Sequence, residues 1–347
     1  MRLPLNQKIA ILLHEGIKTS RGKTGLSVLR YSESQIVAVI DRESVGQSLQ
    51  DITGIKRDVP IVDSVTNSLK YQPQVLVIGI APKGGAIPDD YWHELKDAVS
   101  AGMSIVNGLH TPLANMPELK ALLKPGQIIW DVRKEPGNIG GVATAIARTL
   151  PCRRVLTVGT DMAVGKMSTS LELHWASKLK GRRSKFLATG QTGLLLAGDG
   201  IPLDAIRVDF AAAAVEQMVM RYGKTHDILH IEGQGSLLNP SSTATLPLIR
   251  GSQPTQMILV HRAGQTEVIE GVKIPPLKEV VQLYETVATA AGAFAPVPVV
   301  GIALNTSALD ETAAKQAIAL VETETGLPCT DVVRFGAEIL LDAVMSN

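Results

Sequence analysis

The residues best suited to chemistry lie in one stretch near the middle of the chain, RRVLTVGTDMAVGKMSTSLELHWASKLK, residues 153–180. A β-branched and aliphatic run ends at Gly159, a short loop leads to Gly165 and Lys166, and an amphipathic helical pattern follows at once. In a strand, loop and helix of this kind, the loop amides and the positive end of the helix dipole favour a di- or triphosphate. Lys166 would bridge the outer phosphate oxygens.

The spacing of this loop differs from the strict phosphate-loop pattern, which has four residues between its glycines. Here Thr160 to Val164 make five. The residues that carry the pattern are Gly159, Thr160, Asp161, Val164, Gly165 and Lys166. They resemble the GTDxxVGK loop of dethiobiotin synthetase and its P-loop relatives. We therefore predict that these residues bind the phosphates of a cofactor.

The residues that follow the lysine depart from that family. There the next residue is Thr or Ser, whose hydroxyl holds the magnesium of the nucleotide, whereas here it is Met167, with Ser168 and Thr169 after it. A shift of one residue turns a helical side chain by roughly 100°. All three residues are predicted to line the cofactor site, and Ser168 is a candidate magnesium ligand. The sequence supports phosphate binding more directly than metal binding.

A second chemical signal is the strand DILHIEGQGS, residues 227–236. Its apolar residues would carry Glu232 to the carboxyl edge of the sheet, beside the phosphate loop, and two glycines allow close backbone approach. This resembles the acid-Gly-x-Gly element of dethiobiotin synthetase, in which the Glu helps to bind magnesium. Glu232 is accordingly predicted to be a catalytic residue and a metal ligand, and His230 alternates onto the same face.

Two further strands end in polar side chains. QMILVHRAG, residues 256–264, ends in His261 and Arg262, and we take His261 as a candidate catalytic base. PVVGIALNTSAL, residues 298–309, contains Asn305 and resembles the hydrophobic strand by which dethiobiotin-synthetase relatives read an adenine base. Asn305 fits a purine edge because its amide offers a donor and an acceptor, but it could equally cap the helix that starts near Asp310.

Elements that could position these residues recur along the whole chain. Aliphatic strand patterns alternate with amphipathic helical patterns, which predicts an α/β protein with mainly parallel sheets. We divide it into a Rossmann-like domain, residues 1–150, and a P-loop NTPase-like domain, residues 151–347, with a helix over 142–150 leading from one to the other. Loops at the carboxyl ends of parallel strands form ligand crevices.

The N-terminal half contains a second segment whose glycine and lysine spacing is similar to that of the phosphate loop. Gly16 is followed after five residues by Gly22, Lys23 and Thr24, but the GxGxxG fingerprint of dinucleotide-binding folds is missing. This loop either binds an anion or is a solvated loop. His110, Asp131 and Arg133 follow later strands of the same half, and we note them as candidate ligand contacts.

Composition excludes several functional classes. The chain has 347 residues, a net charge of +1 and 3% aromatic residues, without the basic stripe and interleaved stacking residues of a nucleic-acid-binding protein. Cys152 and Cys329 fit a reducing compartment and form no zinc cluster. The apolar run from Ile9 to Leu13 is too short for a signal peptide or a membrane span. We expect a cytoplasmic protein without membrane or nucleic-acid partners, and a homo-oligomer because of its sizeable apolar fraction.

Four segments together identify a family resemblance: GTDMAVGKMS (159–168), VDFAAAAVE (208–216), IEGQGSL (231–237) and DVVRFG (331–336). Through them the chain is identified as a member of a prokaryotic family, domain of unknown function sixteen-eleven. The resemblance spans essentially the full length. It implies an N-terminal Rossmann-like domain joined to a C-terminal P-loop domain, implies that Met167 is usual at its position, and implies D-glutamate N-acetyltransferase activity.

Three functions compete at this point. In one, the loop grips the diphosphate of acetyl-CoA while an acetyl group passes to the nitrogen of an amino acid, and His261, His230 or Glu232 acts as the base. In another, ATP with magnesium phosphorylates a substrate carboxylate, as in ligases of the dethiobiotin-synthetase type. A nucleotide-driven switch or metallochaperone is the third, and it would need an Asn-Lys-x-Asp motif and a Cys/His cluster that the sequence lacks. We place acetyl transfer slightly ahead, with a small amino acid or carboxylate as substrate.

Overall fold

The structure, a computed structural model, describes Leu3, residues 6–137 and residues 139–346. Contacts between residues divide the chain into two compact units. The first comprises the described residues up to Lys134 together with Leu194–Gly198, and the second comprises the others from Glu135 onward. The boundary between the units thus follows Lys134, whereas the sequence analysis placed the domain boundary after residue 150.

The first unit alternates strands with short helices. Its strands are β1 Lys8–Leu12, β2 Gln35–Ile40, β3 Ile61–Val62, β4 Val75–Ile78, β5 Ser104–Asn107 and β6 Ile129–Asp131. Its helices are α1 Lys23–Tyr31, α2 Leu49–Thr53, α3 Val65–Ser68, α4 Trp92–Ser100 and α5 Pro117–Lys120. The central strands are aliphatic and almost fully buried, as expected for a parallel sheet that is covered on both faces.

The sheet of the first unit has the order β3-β2-β1-β4-β5-β6, and every pair in it is parallel. The order reverses between β1 and β4, which is the switch point where doubly wound sheets bind ligands. Helix α1 packs closely there, since the Gly25 amide donates to the Gly79 carbonyl over 2.7 Å. A Cβ on Gly25 would come within 3.2 Å of the Gly79 Cα, so only glycine permits this approach.

The second unit has longer elements. Its strands are β7 Arg153–Gly159, β8 Ser184–Leu187, β9 Ile228–Ile231, β10 Gln256–Arg262, β11 Glu267–Ile269, β12 Val272–Lys273, β13 Val299–Asn305 and β14 Cys329–Thr330. The helices from this point of the chain onward are α6 Lys166–Leu179, α7 Gln191–Ala197, α8 Val208–Tyr222, α9 Thr245–Ser252, α10 Leu277–Val287, α11 Glu311–Thr325 and α12 Glu338–Ser346.

The main sheet of the second unit has the order β14-β13-β10-β7-β9-β8 and is parallel throughout. Strand β7 lies between β10 and β9, and their carboxyl ends share one edge of the sheet. Gly159, Arg262 and Asn305 end their strands at this edge, and Glu232 directly follows β9. The predicted α/β class with mainly parallel sheets is confirmed.

The helix predicted over 142–150 is wrong. Only Ile146–Thr149 forms a short 3-10 turn, and Ala145 before it has a left-handed backbone with φ of +58°. The backbone amides of Thr144 and Ile146 donate instead to the carboxylate of Glu216, over 3.0 and 2.8 Å. A distant carboxylate on α8 therefore takes the Ile146 amide, which a helix over 142–150 would have bonded to the carbonyl of residue 142, and also satisfies the Thr144 amide.

None of the helices in the described part of the chain combines the length and the apolar character that crossing a membrane requires.

Candidate functional site

The phosphate loop connects β7 to α6 and folds back over the end of the strand. Gly165 has a φ of +122°, a conformation that side-chain-bearing residues rarely adopt, and it precedes the first residue of α6. The Lys166 ammonium donates to the Asp161 carbonyl over 2.7 Å, so the lysine lies within the curve of its own loop. A Cβ on Gly159 would come within 3.2 Å of that ammonium nitrogen. The backbone conformation thus favours glycine at position 165, and the close lysine disfavours a side chain at position 159.

Neighbouring strand ends hold the loop on one side. The Thr160 amide donates to the Val260 carbonyl over 3.1 Å. The Thr160 hydroxyl lies 2.9 Å from His261 Nδ1. Asn305 Nδ2 donates to the Val164 carbonyl over 3.0 Å. Strands β10 and β13 therefore both contribute a polar group to the fixed loop conformation.

Asp161 is held by side chains from two other loops. Its Oδ1 accepts from Asn239 Nδ2 over 2.7 Å and from the Met162 amide over 2.6 Å. Its Oδ2 accepts from Gln265 Nε2 over 2.6 Å. Asp161 is 8% exposed and serves as an internal strut of the loop. Its predicted contact with a cofactor stays a prediction.

A hydroxyl network supports the loop from below. Thr157 Oγ1 lies 3.0 Å from Ser170 Oγ on α6 and accepts from the Gly233 amide over 2.9 Å. Tyr284 donates its hydroxyl to the Gly159 carbonyl over 2.7 Å and accepts from the Leu237 amide over 3.1 Å. These bonds join β7, α6, α10 and the segment after β9 in the buried region under the loop.

Glu232 follows β9 and lies beneath the loop, 3% exposed. Its Oε2 accepts from the amides of Thr189 and Gly190 over 2.8 and 3.1 Å, and its Oε1 lies 3.3 Å from Gln234 Nε2. Burial raises the pKa of Glu232 to about 7, and the two amides and the Lys166 charge oppose that rise. A carboxyl group with a pKa near neutrality can accept and return a proton, which is the property required of a general base.

The two candidate histidines, His261 and His230, lie in different places relative to the phosphate loop. Burial, helped by the Arg262 charge, lowers the pKa of His261 to about 4, and its Nδ1 is engaged with Thr160. His230 is fully buried, its Nε2 lies 2.8 Å from Ser177 Oγ on α6, and burial lowers its pKa to about 3. Both rings are therefore neutral near pH 7, and His230 packs between the sheet and α6, away from the loop.

The residues after Lys166 lie in the first turn of α6. Met167 and Ser168 are half-buried, and Thr169 is buried with its hydroxyl donating to the Gly165 carbonyl over 3.1 Å. Within the described residues, no group of three or more His, Cys, Asp or Glu side chains is arranged to hold a metal ion. The predicted magnesium contacts of Ser168 and Glu232 stay predictions.

Most of the predicted site residues come together at this edge of the sheet. Sequence reasoning missed the supporting residues Thr157, Asn239, Gln265 and Tyr284. A polar Thr157 inside an aliphatic strand was a visible signal. Tyr284 had none, because it lies in an ordinary amphipathic helix 125 residues from its partner.

The loop fits a phosphate-bearing ligand on two observations. Gly159 lies close to the Lys166 ammonium, since a Cβ at this position would be 3.2 Å from the ammonium nitrogen. Beside Asp161, the buried Oε1 of Gln265 has no hydrogen-bond partner within the part of the chain that the structure describes. An amide oxygen of this kind can accept from a ligand hydroxyl or amine. Helix α6, which begins at the loop, adds partial positive charge there.

Comparison with known proteins places these features in a family. A model described as the P-loop domain of DUF1611, a domain of unknown function, matches residues 141–341, which is more than half of the chain. A second model, the Rossmann-like N-terminal domain of DUF1611, matches residues 42–135. A crystal structure of a DUF1611 family protein from Anabaena variabilis is 75% identical, with a TM-score of 0.95, covering 99% of this chain and 100% of that one.

Two curated relatives carry a functional name. A protein from Tritonibacter scottomollicae, named D-glutamate N-acetyltransferase, is 38% identical over 78% of this chain and 81% of its own length. A protein of the same name from a Pseudoalteromonas species is 34% identical over 82% of this chain and 84% of its own length.

Proposed function

The chain belongs to the DUF1611 family, and from that premise we propose that it transfers the acetyl group of acetyl-CoA to the amino nitrogen of an acidic amino acid such as D-glutamate. The observation that carries the proposal is the name shared by two relatives that align with about four-fifths of the chain. A transferase of this kind needs a diphosphate-binding loop and a base, and the second unit offers candidates for both.

The phosphate loop binds the diphosphate of coenzyme A in this proposal. Lys166 exchanges its contact with the Asp161 carbonyl for the diphosphate oxygens, which are better partners for an ammonium group. Helix α6 stabilises the same charge through its dipole. Because the loop is already held by Thr160, Asp161 and Val164, little conformational freedom is lost on binding.

The chemical step needs a free amine. Glu232 accepts a proton from the ammonium group of the amino acid, and its pKa of about 7 places it between its two protonation states at neutral pH. The amine then attacks the thioester carbonyl, a C–N bond forms and the C–S bond breaks. The attacking nitrogen then loses a second proton to the departing thiolate, which leaves as coenzyme A thiol, and Glu232 releases the first proton to solvent before the next turnover.

A second candidate function, ATP-dependent ligation, is favoured by one observation. Glu232 follows the strand next to β7, where phosphate-loop enzymes place an acidic magnesium partner. Against it, Glu232 Oε2 already accepts two backbone amides, and the position after Lys166 is Met167 rather than Ser or Thr. Acetyl transfer requires neither a hydroxyl nor a metal at that position.

Calorimetric titration separates the two functions. Acetyl-CoA and magnesium-ATP are titrated separately into wild-type protein, Lys166→Ala and the matched control Lys178→Ala on the exposed side of the same helix. We expect acetyl-CoA to bind to wild type and to the control and to lose affinity in Lys166→Ala. Thiol release with D-glutamate as acceptor then tests turnover. Binding of magnesium-ATP alone, without thiol release, would contradict the proposal in favour of ligation.

A further inference from the structure

The second unit has a cavity of about 340 Å³ at the amino ends of its strands, a volume within the usual range of small-molecule sites. Its lining includes Arg153 and Ile228, the first residues of β7 and β9, and Arg183, which precedes β8. All of its lining residues belong to the second unit. We name it the amino-edge cavity.

The amino-edge cavity is separate from the phosphate loop. Strand β7 begins at the cavity with Arg153 and ends at the loop with Gly159. A strand of seven residues that rises about 3.3 Å per residue places roughly 20 Å between its two ends. A ligand in the cavity therefore does not share the contacts of the cofactor proposed for the loop.

Part of the lining is apolar. Pro151, Ile228 and Met345 contribute to it, and Ile228 is buried at the start of β9. Arg153 Nη2 donates to the Met345 carbonyl over 3.1 Å, which holds the end of α12 against the start of β7. The apolar side chains offer a surface on which the organic part of a ligand loses contact with water.

The charged part of the lining is mainly positive. Arg153, Arg182, Arg183 and Lys224 line the cavity, and of the described residues that do so Asp227 alone is acidic. Asp227 Oδ1 accepts from Arg183 Nε and Nη2 over 3.0 and 2.5 Å, and its Oδ2 accepts from the Arg183 amide over 2.9 Å. The one carboxylate is thus bonded to a single arginine through both oxygens.

Two of the cations are available to a ligand. Arg182 and Lys224 are exposed, and within the described residues neither forms an ion pair with a carboxylate. Their basic neighbours differ in this respect, because Lys180 pairs with Asp342 and Lys185 with Asp199. The surrounding acids are therefore taken by other side chains.

Helix capping does not account for these two residues. Helices α6 and α8 both end at this edge, and each already has a basic residue in its last turn, Lys178 and Arg221. Arg182 and Lys224 follow the capping residues of the two helices. The influence of a helix dipole falls off within the last turn, so their charges are not needed to balance it.

We infer that the amino-edge cavity binds a phosphate ester of a small organic molecule, with Arg182 and Lys224 on the phosphate and the apolar lining against the organic group. A phosphate ester carries nearly two negative charges at neutral pH, which matches two available cations better than a single carboxylate does. The guanidinium fork of Arg182 fits two phosphate oxygens, and Lys224 adds a point charge. The inference is independent of the proposed acetyl transfer.

The test is calorimetric titration of the full chain with phenyl phosphate, a phosphate ester with an apolar group. Lys166→Ala serves as the background, since it removes phosphate binding at the loop. Arg182→Gln and Lys224→Gln are added to it singly, and the matched control is Lys278→Gln, exposed on α10. We expect each of the two Gln variants to weaken binding about tenfold and the control to leave it unchanged.

Arg182→Lys should recover part of the lost affinity, because it keeps the charge without the fork. Equal denaturant midpoints of the variants and the background show that the substitutions leave the fold intact. Phenyl phosphate affinity that is the same in the background and in both Gln variants would overturn the inference. So would binding that disappears in Lys166→Ala, which would place the probe in the phosphate loop, or no binding to any of the proteins.

Two further probes define the ligand class. Inorganic phosphate lacks the organic group and benzoate carries a single charge, so both should bind more weakly than phenyl phosphate. Inorganic phosphate that binds as tightly as phenyl phosphate would overturn the role of the apolar lining. Benzoate that binds as tightly would overturn the assignment to phosphate esters.

The outcome is separate from that of the proposed acetyl transfer. If phenyl phosphate binding depends on Arg182 and Lys224 but wild type releases no thiol from acetyl-CoA, the cavity stands and the transfer fails. If thiol is released and phenyl phosphate does not bind to the Lys166→Ala background, the transfer stands and the inference fails.

Discussion

The hydroxyl of Tyr284 on α10 lies 2.7 Å from the carbonyl oxygen of Gly159, the last residue of β7. The same hydroxyl accepts from the Leu237 amide over 3.1 Å. One fully buried side chain thus satisfies two backbone groups where the phosphate loop begins. Burial raises the pKa of Tyr284, so it stays protonated and keeps its donor.

Replacing Tyr284 by Phe removes both hydrogen bonds and keeps the packed ring. We expect the free energy of unfolding to fall by about 2–4 kcal/mol, because the Gly159 carbonyl and the Leu237 amide are left unsatisfied. Denaturant unfolding measures the loss. The half-buried Tyr71→Phe in the first unit is the control and should change stability by less than about 0.5 kcal/mol. Equal stability of wild type and Tyr284→Phe would contradict the assigned role.

Asn305 offers a test that separates two roles for one side chain. It donates to the Val164 carbonyl and accepts from the Ser307 amide, so both ends of its amide are engaged within the protein. We expect Asn305→Ala to weaken inorganic pyrophosphate and coenzyme A binding equally, by about fivefold for one lost hydrogen bond of about 1 kcal/mol. Titration with each ligand checks this. A loss confined to coenzyme A would instead support the predicted contact with the adenine base.

The raised pKa of Glu232 predicts that the free energy of unfolding depends on pH. Its pKa is about 7 in the folded protein and 4.5 in an ordinary carboxyl group, so between these values the folded chain holds a proton that the unfolded chain has released. The favourable contribution is therefore full below pH 4.5, falls as pH rises and is gone above pH 7. The total change is at most about 3 kcal/mol.

The measurement is the unfolding free energy of wild type minus that of Glu232→Gln, from pH 4.5 to 7.5. Glutamine keeps an oxygen for the Thr189 and Gly190 amides but does not titrate. We expect the difference to decline as pH rises. A difference that is constant with pH would mean that the carboxyl group titrates at its usual pKa, and it would weaken the case for Glu232 as the base.

Replacing Glu216 tests how the segment 142–150, which was expected to be a helix, is held in place. Its carboxylate accepts from the amides of Thr144 and Ile146 and from the Thr144 hydroxyl. Glu216→Ala should lower the free energy of unfolding by about 3 kcal/mol, since charge-assisted bonds are lost and amides are left unpaired. Asp209→Ala, exposed on the same helix, should cost less than about 1 kcal/mol. Urea titration of both variants checks the prediction, and equal losses would contradict it.

Local sequence patterns predicted the sheets because parallel strands are continuous aliphatic runs, bounded here by glycine and polar residues. They predicted that Gly159, Glu232, His261 and Asn305 meet, because the carboxyl ends of parallel strands share one edge. They could not predict which groups pair across that edge. The amide of Asn305 turns toward Val164, a choice that depends on loop geometry rather than on residue type.

Long-range partners also account for the remaining differences. The 142–150 segment has helical composition, but Glu216, some 70 residues away, offers a stronger acceptor than the local carbonyls. Asn239 and Gln265 flank Asp161 from loops whose own sequences indicate only turns. Whether a backbone or side-chain group bonds locally or to a distant residue depends on tertiary contacts, which a local sequence pattern does not contain.

The attachment of the phosphate loop at Thr160, Asp161 and Val164 has a consequence for its motion. Because each attachment ends on a different strand or loop of the second unit, the loop cannot swing open without breaking bonds at several points of the sheet edge. The Thr160 amide, which donates to the Val260 carbonyl, should therefore exchange with solvent deuterium as slowly as the amides of the central strands, through cooperative unfolding of the second unit rather than local fluctuation.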